Sequence, residues 1–201
     1  MRSLFDFIIK PIGERYDNEK KVGDKTLVLN TKIESFKSVN NLATVIETPT
    51  TFDTGVSKGD TVIVHHNIFR RFYDMKGREK NSRSYFKEDL YFCSADQIYL
   101  YKKDDKWLSH IDRCFVKPIA ETALLSTDKE KPLIGIVKYD NPYLNKLGVS
   151  IGELITFKPN SEFEFIIDDE RLYCMKSNNI VIKHERKGDE KEYNPSWTNC
   201  S

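Results

Sequence analysis

The chain has 201 residues, room for one large or two small domains with an ordinary core, which excludes a stapled mini-protein. Thirty-two Lys and Arg against 31 Asp and Glu leave a net charge of +1, so no bulk field draws nucleic acid or an anionic membrane, and any such binding must be local. Hydrophobic residues at 39% and aromatics at 12% supply enough apolar surface to fold despite a charged fraction of 31%.

The opening stretch MRSLFDFIIKP is broken by Asp6 and stopped by Lys10-Pro11, too short for a secretory leader, and nowhere do 18 apolar residues run together. A soluble, unexported, cytoplasmic protein is expected. Runs rich in Val, Ile, Phe, Tyr and Thr then recur at residues 5–9, 26–29, 43–46, 61–64, 90–93, 98–101, 114–116, 134–137, 154–157, 163–167, 172–175 and 180–182. Period-two runs of this length, separated by turn residues, predict strands. No dozen residues keep an i, i+3, i+4, i+7 stripe with a capped start, so helices beyond two turns are not expected. The predicted class is all-β, as a small barrel or sandwich rather than a parallel sheet. Cys93, Cys114, Cys174 and Cys200 show no CxxC spacing, and the first three sit in apolar runs. That predicts inert thiols in a reducing compartment rather than a disulfide or metal site.

An internal repeat organises these strands. Phe7-Ile8-Ile9-Lys10-Pro11-Ile12 returns 107 residues on as Cys114-Phe115-Val116-Lys117-Pro118-Ile119. Ala43-Thr44-Val45 returns after 92 residues as Gly135-Ile136-Val137, and Gly59-Asp60-Thr61-Val62 after 93 as Gly152-Glu153-Leu154-Ile155. Leu90-Tyr91 and Ile98 return after 82 as Leu172-Tyr173 and Ile180. The falling offset gives the first unit 15 extra residues between Ile12 and Leu42 and 11 more between Val64 and Leu90, where insertions belong in loops. The expected division is a first unit over residues 1–106, a second over 107–184, and a polar tail over 185–201, with the polar stretch Lys102 to Lys106 as the join.

From Asp112-Arg113 through Val116-Lys117-Pro118, Gly135-Ile136-Val137, Gly152 to Phe157 and Ile167 to Met175, ending at Ile180, the second unit resembles the ten-kilodalton co-chaperonin (GroES) family. The first unit resembles it less closely, with Ala43 at the Gly-x-Val glycine and Asp6-Phe7 at the Asp-Arg pair. The resemblance implies two tandem GroES-like β-barrels. It further implies a non-enzymatic protein that assembles with its own copies into a ring, caps an ATP-driven chaperonin and assists protein folding. In that family an apolar triplet on a mobile loop makes the contact. The matching residues are Leu27, Val28 and Leu29 in the first unit and Ala123, Leu124 and Leu125, on a shorter loop, in the second. Lys25 and Thr26 stand where the family has glycines, which stiffens this loop, and residues 26–29 equally fit a regular strand within the first unit.

Independently of the family, a polar loop showing three aliphatic side chains binds weakly alone and firmly when several copies act together. Strand edges that pair across subunits predict a homo-oligomer. Residues 65–89 interleave Arg70, Arg71, Lys76, Arg78, Lys80, Arg83 and Lys87 with Phe69, Phe72, Tyr73, Tyr85 and Phe86. Such a pattern suits single-stranded nucleic acid or an acidic protein surface, but a surplus of three positive charges over Asp74, Glu79, Glu88 and Asp89 is small. A hairpin turning near Lys76-Gly77 with solvated charges is the expected reading. His65 and His66, as neighbours on a strand, point to opposite faces and do not share a metal, so neither metal nor cofactor is expected. The sequence lacks GxGxxG after a strand, GxxxxGK[ST], HExxH and GxSxG, so no enzyme template is supported. The alternative to a lid is a non-catalytic virion or scaffold component using the same barrel.

Overall fold

The computed structural model describes residues 2–16, 19–22, 25–28, 39–122, 129–185, 188 and 190–193. The chain divides into two compact units, Met1–Lys106 and Trp107–Ser201. The strands of the first are β1 (Phe7–Pro11), β2 (Glu19–Val22), β3 (Lys25–Val28), β4 (Leu42–Glu47), β5 (Thr61–Val64), β6 (Phe72–Tyr73), β7 (Glu79–Lys80), β8 (Tyr85–Lys87), β9 (Leu90–Cys93) and β10 (Ile98–Lys103). β11 (Lys106–Ser109) leads into the second unit, which holds β12 (Arg113–Ala120), β13 (Glu130–Tyr139), a short helix α1 (Pro142–Lys146), β14 (Leu154–Phe157), β15 (Phe163–Ile167), β16 (Glu170–Lys176) and β17 (Ile180–His184).

A seven-stranded sheet runs β11-β10-β5-β4-β1-β9-β8, and a six-stranded sheet runs β15-β16-β12-β13-β14-β17. From β10 to β8 the first sheet has the order of the second from β17 to β15, strand for strand. The registers agree as well. Ile9 pairs with Val45, Lys10 with Thr44 and Pro11 with Ala43, while Val116 pairs with Val137, Lys117 with Ile136 and Pro118 with Gly135. A bulge precedes Ile9 in one ladder and Val116 in the other. Phe7 faces Cys93 and Ile9 faces Tyr91, as Cys114 faces Met175 and Val116 faces Tyr173. The offsets of 107, 92, 93 and 82 residues therefore join positions that share one backbone geometry.

Alternation places matching residues inside. Phe7, Ile9, Ala43, Val45, Val62, Val64, Tyr91 and Cys93 form the core of the first unit, and Cys114, Val116, Val137, Ile155, Phe157 and Met175 that of the second. One cross-strand pair has exchanged sizes: Phe7 against Cys93 becomes Cys114 against Met175, large-small traded for small-large. Such a swap keeps the summed volume near what a close-packed interior tolerates. Cys93, Cys114 and Cys174 are buried free thiols whose pKa values burial pushes up, that of Cys174 to about 12, so all three stay protonated.

One expectation from the sequence is corrected. The hydrogen-bonded ladders are open, running from β11 to β8 and from β15 to β17, so neither sheet is a closed barrel. Alternation decides which face a strand buries, not whether the outermost strands meet, so closure is not legible in the pattern. The stretch Lys102 to Lys106, at whose end the two units divide, holds a tight turn. Asp104 and Asp105 take φ of 48° and 61° and turn β10 tightly back into β11, a conformation that suits the twist of a hairpin.

Asn141 knits the second unit together. Its Nδ2 donates to the Arg113 carbonyl at 2.6 Å and to Ser177 Oγ at 2.7 Å, while its Oδ1 accepts from the backbone of Tyr143 and Leu144 and so caps α1. Buried amides left without these partners lose hydrogen bonds that water cannot replace. Asn141→Ala is expected to destabilise the unit by about 2–3 kcal/mol, read as a lower urea midpoint, and a loss under about 0.5 kcal/mol would refute the role.

Candidate docking loops

In both sheets the chain leaves the first strand, makes an excursion and returns as the second. In the first unit the excursion spans residues 12–41, between β1 and β4. β2 and β3 form a two-stranded hairpin there, with Glu19 opposite Val28 and Lys20 opposite Leu27. Of the first triplet, Leu27 and Val28 thus lie on β3, in the strand that residues 26–29 also fitted, but in a sheet separate from the seven-stranded one. Leu29 lies outside the described residues, as do Ala123, Leu124 and Leu125 of the second unit. Between β12 and β13 the Glu121 amide donates to the Lys129 carbonyl at 3.1 Å and closes the shorter excursion.

The base of the longer loop is tied from both limbs. Asn40 Nδ2 reaches the carbonyls of Ile12 and Glu14, its Oδ1 accepts from the Leu42 amide, and its own amide donates to the Arg15 carbonyl. Tyr16 bridges to Val39, and both are buried in the core of the first unit. The insertion at residues 65–89 meets this base. Arg15 donates from Nε and Nη2 to the Phe69 carbonyl and from Nη1 to Asn81, at 3.0–3.3 Å. The Arg71 amide donates to Tyr16 Oη at 2.6 Å, and the Arg71 guanidinium lies 4.6 Å over the Tyr16 ring. Ile68 and Phe69 are completely buried. Beyond this root β6 and β7 form the expected hairpin. Asp74 Oδ1 accepts from the amides of Lys76 and Arg78 and sets its turn, and Met75 is fully exposed at the tip.

In the second unit charges do similar work. Arg171 pairs with Glu130 at the start of the return strand at 2.7 Å and with Glu164 at 3.0 Å. Lys117 pairs with Glu170 and with Glu192, at 3.2 and 3.0 Å. Partial burial raises the Glu170 pKa, but hydrogen bonds from Lys138 and Lys117 outweigh it and hold the carboxyl low. Residues 190–193, expected as tail, run beside β12: the Ala120 amide donates to Lys191 and the Tyr193 amide to Pro118.

β5 ends at Val64, so His65 and His66 are not on a strand as the sequence suggested. His65 caps a 3-10 turn over His66–Ile68 and the two rings stack at 4.3 Å. Burial, followed by His65 and Arg70, lowers the His66 pKa to about 4 and keeps that ring neutral. Among the described residues no three His, Cys, Asp or Glu side chains are grouped to hold a metal, and no helix is long and apolar enough to cross a membrane.

Arg15, Tyr16 and Asn81 were not legible as a meeting point, since their partners across it stand 54 to 66 positions away. No family model and no curated protein matches the chain.

Proposed function

We propose that this protein is a non-catalytic co-chaperonin whose copies form a ring that caps an ATP-driven chaperonin. Leu27, Val28 and Leu29 make the principal contact, and Ala123, Leu124 and Leu125 a second, weaker one. The observation that carries this reading is positional. The two sheets share one strand order and register, and in the sequence an aliphatic triplet falls between the first two strands of each, which supports this reading. A few aliphatic side chains bury enough area for weak binding, and a ring multiplies weak contacts into firm but reversible capping. Assembly is favoured by outer strands that show apolar residues, Phe163 on β15 and Val181 and Ile182 on β17, at sheet edges able to pair with another copy.

A charge in the triplet is the direct test. Leu27→Asp is expected to abolish nucleotide-dependent co-sedimentation with a purified bacterial chaperonin while circular dichroism stays unchanged. Co-sedimentation equal to the parent's would overturn the lid reading. A ring-sized native mass without any chaperonin binding would favour the virion or scaffold alternative.

A further inference from the structure

The first unit has two additions relative to the second, a longer excursion after β1 and the segment after β5, and these two additions touch each other. We infer that residues 68–82 are a clamp on the base of the loop that carries Leu27 to Leu29, with Arg15 and Tyr16 as positioning residues. The clamp rests on geometry alone. Its consequence for docking rests on the co-chaperonin reading.

A loop of some thirty residues leaving a sheet on two unbraced limbs samples many directions, and docking must then order it at an entropic cost. The shorter excursion of the second unit closes on itself through Glu121 and Lys129, and its return strand is held from β16 by the Glu130–Arg171 pair. The longer one meets a brace built from an inserted segment. The Arg15 fork grips the Phe69 carbonyl, Asn81 takes its remaining nitrogen, and Tyr16 is pinned between Val39 and Arg71. Phe69 and Ile68 root the brace in the core of the first unit. Two insertions of unrelated sequence, both confined to one unit and bonded to one another, are accounted for together when the second exists to aim the first.

Tyr16→Phe removes one hydroxyl and keeps the ring. Arg15→Ala removes the fork, and Arg15→Lys restores the charge without the paired donors. Amide hydrogen exchange on the whole chain should show the Arg71 amide exchanging at least about tenfold faster in Tyr16→Phe, and the Asn40 amide likewise in Arg15→Ala, as local opening becomes easier. Val45 and Val137, deep in the two sheets, should not change. In co-sedimentation with a purified bacterial chaperonin and ATP, both variants should bind several-fold more weakly, with Arg15→Lys recovering only part of the loss. Unchanged exchange at Arg71 and Asn40 would overturn the clamp. Faster exchange with parental binding would overturn the positioning role. A parent chain that does not bind would sink the co-chaperonin reading, leaving exchange to decide the clamp.

Discussion

Gly135→Val should destabilise the second unit by about 3 kcal/mol or more, the upper end for forcing atoms into a packed core. A Cβ at this position would stand against Val116 Cγ1 and 2.5 Å from the Lys117 carbonyl oxygen, and the backbone atom cannot move without breaking the β12–β13 ladder. Gly135→Ala meets the same two atoms and should lose somewhat less. The equivalent position in the first sheet is Ala43, fully buried in its core, so a methyl there has room that the second sheet denies. Amide exchange separates the units: the Val137 amide, bonded to the Glu153 carbonyl at 3.0 Å, should lose protection. Its counterpart Val45, bonded to Asp60 at 2.9 Å, should keep it. Equal protection of Val137 in parent and variant would show that the two strands separate more easily than this packing allows.

Phe69→Ala should destabilise the first unit by about 3–5 kcal/mol, the usual loss for emptying a buried aromatic site. The ring is fully buried and stands edge-on to Tyr91, 5.0 Å between centroids at 88°, inside the same cluster as Ile9 and Val64. Phe72, three residues along and 44% exposed, gives the contrast: Phe72→Ala should change stability by less than about 0.5 kcal/mol. Urea unfolding with Val45 exchange as the reporter reads both. If Phe69→Ala behaved like Phe72→Ala, the insertion would be an appendage, and its carbonyl would be a poor anchor for Arg15.

Much of the fold was legible because its signals are local. The apolar runs Phe7-Ile8-Ile9 and Cys114-Phe115-Val116 mark buried strands whatever the partner strand, and the pairs Gly59-Asp60 and Gly152-Glu153 mark turns through backbone conformation. Short weak strands were harder. β6, β7 and β8 are two or three exposed residues each, and β2, Glu-Lys-Lys-Val, has no apolar alternation to read. The strand reading of His65 failed for a nearby reason: its Nδ1 accepts from the Asn67 amide and starts a 3-10 turn where the apolar run had already ended.

Composition and periodicity by themselves determined an all-β chain with two sets of matching strands, because a strand's pattern records burial, and burial is decided residue by residue. Which edges stay open, and which distant loops meet, was decided only in three dimensions. The hydrogen bonds of Arg15 to Phe69 and of Arg71 to Tyr16 join residues that owe their proximity to the sheet between them. No local pattern encodes a contact whose two halves are each satisfied by water until the fold brings them together.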